Sequence, residues 1–267
     1  MRSVKELHYF HTLDADEQAK KIEVLKGQIV EYGRQAILAK SEGIPWRKRN
    51  MRRRVGDSQD LLRVLSSDRA GDRAYIDYLL GGSTSPKILA DVSPSYAPLE
   101  PAMIKRIRQL PVIVRVVFLV RDPLDRLWSH IRMHAKRFSR EGQEIVSKSS
   151  NVLNRILNRG HETHITDRSD YRSSISAWRD VFGVDDMCVQ YSEELSTPKG
   201  ARSLCRVLDT AEKDPEQNLR VHEGQKIAFP EQRRRAVVRF LQDQYEFMAQ
   251  EFGPLPKNWQ QNYQLVA

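Results

Sequence analysis

The stretch that most restricts the fold is Val114 to Phe138, VRVVFLVRDPLDRLWSHIRMHAKRF. It opens with Val114, Val116, Val117, Phe118, Leu119 and Val120, a mostly β-branched run that suits a strand buried on both faces of a parallel sheet. The run breaks at Arg121-Asp122-Pro123. Asp122 is a good N-cap and Pro123 a good first helical residue, so a helix starts there. Asp125 adds negative charge to the first turn, where the macrodipole favours it. Leu127, Ile131 and Ala135 then repeat every four residues as an apolar stripe, and Arg126, Ser129 and Met133 share another face. This strand-turn-helix puts Arg121 at the carboxyl end of a buried strand, where open α/β sheets bind ligands. Arg121 and Ser129 could both address an anion there, the guanidinium through two parallel hydrogen bonds and the hydroxyl through a third. Equally, Arg121 could pair with Asp122 or Asp125 and Ser129 merely occupy the helix.

The pattern Arg121-Asp122-Pro123-x-x-Arg126-x-x-Ser129 resembles the 3′-phosphate-binding motif of sulfotransferases that use PAPS (3′-phosphoadenosine 5′-phosphosulfate). The resemblance implies that Arg121 and Ser129 hold the 3′-phosphate of the co-substrate. Lys5-Glu6-Leu7-His8-Tyr9-Phe10 resembles the segment after the first helix in heparan-type and bacterial members, which implies a general-base role for Glu6 and a supporting one for His8. Read from the residues alone, Leu7, Tyr9 and Phe10 suggest a short strand whose polar partners Glu6 and His8 could handle a proton together. Lys87 to Asp91 reads as a second buried strand, with Asp91 at its end. The following Ser93-Pro94-Ser95-Tyr96 resembles the segment that lines the family's acceptor cleft, and on that basis Asp91, Ser93 and Tyr96 are assigned to substrate binding. Val92 stands where heparan-type members carry a lysine, so that role has no counterpart at this position. Near Val221 to Pro230 the family closes a basic loop over the co-substrate; here only Lys226 offers a cation.

In the family a first strand, a glycine-rich phosphate loop and a helix precede the Glu6 segment. This sequence holds no such loop: Gly81-Gly82-Ser83-Thr84-Ser85 lacks a following helix and reads as an ordinary turn. The expectation is therefore a single sulfotransferase domain over residues 1–267, N-terminally incomplete. Its fold should be a three-layer α/β/α sandwich of P-loop type around a short parallel sheet, with the first strand missing. Such a chain should be unstable, aggregate or recruit a partner strand.

Composition agrees with a globular chain of 267 residues, 40% hydrophobic and 30% charged. The net charge of +9 favours anionic partners. No run of 18 apolar residues suggests a membrane span, and no signal peptide is evident. Cys188 and Cys205 are too few for a disulfide scaffold and read as core thiols, which fits a cytoplasmic setting. Trp46 to Arg54 is strongly basic, either a solvated face or a contact surface for an acidic acceptor. It lacks the interleaved aromatics of a nucleic-acid site. His130 with His134, and His161-Glu162-Thr163-His164, are each a pair without a third ligand at useful spacing; no metal is expected, since sulfuryl transfer needs none.

The expected activity is transfer of a sulfuryl group from PAPS to a hydroxyl or amine of a glycan, lipid headgroup or small molecule, releasing PAP (3′-phosphoadenosine 5′-phosphate). The alternatives are a noncatalytic relative or a basic polyanion- or nucleic-acid-binding protein.

Overall fold

Helices hold 65% of the residues in the computed structural model, and the only strands among the described residues form a two-stranded parallel sheet. The structure describes residues 2–139, 142–215 and 227–267, side chains at 142 and 143 excepted. The chain divides into two compact units, Met1–Leu99 and Glu100–Ala267. An α/β class is thus met at its coarsest level.

The first unit is built on a helical hairpin, α1 (Ala15–Ser41) and α2 (Pro45–Ser66). The Asp14 carboxylate caps α1 by accepting from the N–H groups of Asp16 and Glu17. The three-residue connection, 42–44, makes the two helices antiparallel neighbours. Leu25, Ala36, Ala39, Met51, Leu61, Val64 and Leu65 fill the unit's core with other apolar side chains. Arg47 to Arg54 lies within α2, where Arg47 meets Glu42 at 3.3 Å and Arg54 lies 5.4 Å over the Tyr32 ring. A shorter helix, α3 (Arg73–Leu80), ends at Gly81 with φ +56°, a left-handed cap that glycine takes without a Cβ penalty. The Gly81-Gly82 stretch is therefore a helix stop.

Two expected strands do not form in this unit. Glu6 and His8 both take positive φ (53° and 59°), which turns the chain instead of extending it. Leu7, Tyr9 and Phe10 are nonetheless buried. Lys87 to Asp91 has no neighbouring strand and so makes no ladder. Asp91 accordingly sits in irregular chain, not at a strand end.

The second unit opens with α4 (Pro101–Arg108) and then β1 (Val116–Val120), which leads into α5 (Pro123–Arg137). After α6 (Gly142–Arg159), α7 (Thr163–Thr166) and α8 (Tyr171–Phe182) the chain returns as β2 (Met187–Tyr191). β2 pairs parallel with β1 in the register Val116↔Met187 to Val120↔Tyr191. β2 is the only partner of β1 among the described residues, and β1 is not buried on both faces: Leu119 is 51% exposed. The short α9 (Ser192–Leu195) and α10 (Pro198–Val207) follow, and Cys188 and Cys205, both unpaired, are half-buried. Two helices then run through 234–252, α11 (Arg234–Phe240) and α12 (Gln242–Phe252), separated at Leu241. The last helix is α13 (Lys257–Tyr263).

Asp122 ties this unit together. Its side chain is fully buried and accepts from the N–H groups of Leu124 (2.9 Å) and Asp125 (3.2 Å), capping α5 as the sequence indicates. It also accepts from the Tyr245 hydroxyl of α12 (3.0 Å) and the Asn262 amide of α13 (3.0 Å). Losing the cap while leaving two buried donors unpaired should destabilise the fold by about 3 kcal/mol. Asp122→Ala is expected to lower the denaturant midpoint accordingly, and Asp122→Asn less; equal stability of Asp122→Ala and wild type would refute the role.

Candidate functional site

In the first unit, five residues singled out from sequence converge on one polar cluster. Asp91 accepts at Oδ1 from the Ser93 hydroxyl (2.8 Å) and at Oδ2 from the hydroxyls of Tyr96 (2.8 Å) and Tyr75 (3.0 Å). Ser93 Oγ in turn accepts from the His8 N–H (3.2 Å), and the Tyr96 oxygen accepts from the Phe10 N–H (3.4 Å). The His8 ring lies between two partners: Nδ1 is 2.6 Å from Ser95 Oγ and Nε2 is 3.4 Å from Glu6 Oε2. Burial, then the negative charge of Asp91, keeps the Tyr96 phenol protonated well above its usual range, and the same two causes act on Tyr75. Both phenols therefore serve as donors to Asp91 at any physiological pH.

The two left-handed residues of this cluster are strained, since neither is glycine. The surroundings hold them. Lys21 of α1 donates to the Glu6 carbonyl (2.8 Å), and the His8 carbonyl accepts from the Thr12 N–H (2.9 Å). Below them Tyr9 stacks on Tyr75 with ring centroids 4.3 Å apart, and Phe10 meets Tyr75 and Tyr96 edge-on. Burial pushes the Lys21 ammonium down, against the opposing pull of the Glu6 and Asp91 carboxylates. The Glu6 side chain is 56% exposed, so its carboxylate can meet a ligand while His8 orients it.

In the second unit, Arg121 follows the last residue of β1 directly. Its backbone is clamped by the Tyr171 hydroxyl of α8, which donates to the Arg121 carbonyl (2.7 Å) and accepts from its N–H (3.2 Å). The guanidinium is about half exposed and lies 3.5 Å from Asp125, so the pairing read as the plainer possibility is present as a long, solvated contact. Ser129 is half-buried one helical turn beyond Asp125.

Arg126 is the larger anomaly. It is mostly withdrawn from water, and its hydrogen bonds go to His130 Nδ1 and Ser169 Oγ, both at 3.4 Å. Among the described residues no carboxylate pairs with it. Burial, then the charges of Arg168 and Arg121, lowers its pKa to about 10. Burial, then the charges of Arg126 and Arg168, pushes His130 down to about 3, so its imidazole is neutral and accepts from Arg126. The turn at the end of β1 thus gathers three guanidinium groups, Arg121, Arg126 and Arg168, whose charges act on one another.

Lys226 lies outside the described residues. Sequence reasoning missed Lys21, Tyr75, Ser95 and Arg126 as members of these clusters. Arg126 was within reach, because it sits in the same motif as Arg121; the others belong to elements with no chemical pattern of their own. A third grouping joins His134 of α5 to Glu162 and His164 beside α7. The two pairs set aside as incomplete in the sequence complete one another in space.

Glu193, at the start of α9, fixes the Arg121 turn from the β2 side. Its Oε1 accepts from the Asp122 N–H (3.1 Å), the Trp259 indole (2.9 Å) and Asn258 (3.4 Å). Burial works to raise its pKa, but these donors outweigh it and hold the carboxyl below the ordinary range.

No family model matches the chain, and no match is found among the curated proteins or the solved structures.

The Glu193 carboxylate, depressed in the folded state, adds stability above its ordinary pKa of 4.5 that is lost as pH falls through the folded value. The unfolding free-energy gap between wild type and Glu193→Gln should therefore be widest near neutral pH and narrow below 4.5. A gap that is constant from neutral to acid pH, measured by chemical denaturation, would rule this out.

Proposed function

We propose that the protein transfers a sulfuryl group from PAPS to a hydroxyl or amine acceptor, releasing PAP. The observation that carries the reading is the turn after β1. Arg121 directly follows a parallel strand, the helix after it carries Ser129, and half-buried Arg126 has no carboxylate partner among the described residues. An anion bound there relieves the repulsion among Arg121, Arg126 and Arg168. A phosphate also matches a planar guanidinium and a hydroxyl in geometry. On this reading the parallel β1–β2 pair belongs to a three-layer α/β/α sandwich of P-loop type.

Arg121 and Ser129 anchor the 3′-phosphate of the donor. The acceptor oxygen or nitrogen attacks sulfur as the bond from sulfur to the 5′-phosphate oxygen breaks, and the acceptor proton passes to Glu6. His8 steers that carboxylate, while Asp91, Ser93 and Tyr96 line the acceptor side. Transfer of this loose, in-line kind depends on positioning and charge stabilisation, as phosphoryl transfer does. The acceptor is a glycan, a lipid headgroup or a small alcohol or amine. No helix among the described residues is long and apolar enough to cross a membrane. We place the protein in the cytoplasm.

A second reading rests on the basic face of α2, Arg47 to Arg54: binding of a polyanion without catalysis. It expects steeply salt-dependent binding to nucleic acid or sulfated polymer with no preference for PAP over AMP.

Calorimetric titration with PAP, with AMP as control, separates the two. The sulfotransferase reading expects PAP to bind and AMP to bind far more weakly, with Arg121→Ala weakening PAP by about tenfold or more, as for loss of a charged hydrogen bond. No PAP binding by folded protein would refute it.

Glu6→Gln should leave PAP affinity within about twofold of wild type and lower turnover roughly 100-fold, the usual loss on removing a general base. Unchanged turnover in an assay with labelled PAPS would remove Glu6 from the mechanism.

A further inference from the structure

We propose that His134, Glu162 and His164 bind a divalent metal ion of the zinc class. The grouping lies wholly in the second unit and owes nothing to the sulfuryl-transfer reading. His134 projects from the last turn of α5, Glu162 immediately precedes α7, and His164 lies within α7. One ligand atom from each falls within 4.8 Å of the other two. His164 Nε2 is 3.3 Å from His134 Nδ1, matching the separation of about 3.3 Å between two ligands of a tetrahedral zinc ion. Glu162 Oε2 is 3.9 Å from the opposite ring nitrogens, His134 Nε2 and His164 Nδ1, so closing the set takes a turn of the imidazoles as well as a movement of the carboxylate.

Three features argue for a built site. The carboxylate is oriented from behind: Arg155 Nε (2.9 Å) and Nη2 (2.5 Å) both donate to Oε1, which leaves Oε2 turned to the histidines. That is the arrangement by which outer partners fix a metal ligand. The Arg155 charge is engaged on this outer oxygen. Glu162 also holds φ +63°, a strained conformation for a residue with a Cβ, two residues after Gly160 at φ +62°. A turn formed at that cost places Glu162 and His164 two residues apart on the same side. Finally, exposure is graded: the side chains of Glu162 and His134 are 16% and 20% exposed, that of His164 56%. The cluster is open on the His164 side, where a fourth ligand such as water can enter.

Two imidazoles and a carboxylate, without a thiolate, suit Zn²⁺ and its spectroscopic substitute Co²⁺ rather than Mg²⁺ or Ca²⁺, which take oxygen ligands. The ion would tie the segment after α6 to the end of α5.

The test is titration of the untagged, chelator-treated full chain with Co²⁺, followed by the visible d–d absorption of the tetrahedral ion and by its displacement with Zn²⁺. One equivalent is expected to bind in wild type and in His161→Ala, which alters a neighbouring exposed histidine outside the cluster. His164→Ala and Glu162→Gln should weaken Co²⁺ at least tenfold, and Arg155→Gln about tenfold through loss of carboxylate orientation. His164 is exposed enough that its alanine variant should fold, and circular dichroism checks this. Zn²⁺ should raise the thermal midpoint of wild type and leave that of His164→Ala unchanged. Absence of the cobalt spectrum in wild type, or equal affinity in wild type and His164→Ala, would show an ordinary Arg–Glu pair flanked by histidines.

Discussion

The second unit depends on a buried carboxylate. Burial, and to a smaller extent the charge of Asp125, drives the pKa of Asp122 upward, and an unpaired charge at that position would be strongly unfavourable. Four donors offset it, two from the first turn of α5 and one each from α12 and α13. They come from three stretches of chain, so the carboxylate is satisfied only when all three have docked. Glu193 repeats the device beside it, accepting from the Asp122 N–H and the Trp259 indole. Trp259 itself is fully buried against Tyr171, Tyr191 and Tyr245. The rigidity of the Arg121 turn is therefore a property of the C-terminal helices as much as of the strand and helix that flank it.

Asp91 has a similar place in the first unit, with a different outcome. Three hydroxyls converge on it, and two of them also accept backbone N–H groups from the Glu6–Phe10 turn. The network holds strained backbone at His8 in register with irregular chain more than eighty residues away. A ladder would have satisfied the backbone of Leu7–Phe10 and of Lys87–Asp91 without side chains. In its absence the Ser93 and Tyr96 hydroxyls accept the N–H groups of His8 and Phe10, and Lys21 donates to the Glu6 carbonyl.

This explains how far the sequence could be read. Where local signals agree, as at Asp122-Pro123 and along the stripe of Leu127, Ile131 and Ala135, element and boundary follow from cap chemistry and periodicity. Val116–Val120 also forms as a strand, and the fold pairs it with β2. Leu7–Phe10 and Lys87–Asp91 carry the same apolar signature, yet a strand needs a neighbour, and neighbours are not a local property. The alternation of buried and polar residues around His8 arises instead from two left-handed residues. Convergence of Glu6, His8, Asp91, Ser93 and Tyr96 was legible only through a resemblance; no spacing rule links positions eighty-five apart. The histidine cluster was invisible for the same reason, since His134 and His164 are separated by the whole of α6.

Helix α5 carries two opposed chemistries on one stripe. Arg126, His130 and His134 follow one another at a spacing of four, so they stack along the same face. Arg126 at one end repels cations and attracts anions; His134 at the other stands by a carboxylate. His130 between them is pushed down to about 3, chiefly by its own burial and then by Arg126, so it remains neutral throughout the physiological range. A protonated imidazole there would add a third charge beside Arg126 and Arg168. Burial of His130 therefore withholds a further positive charge from the stretch between Arg126 and His134.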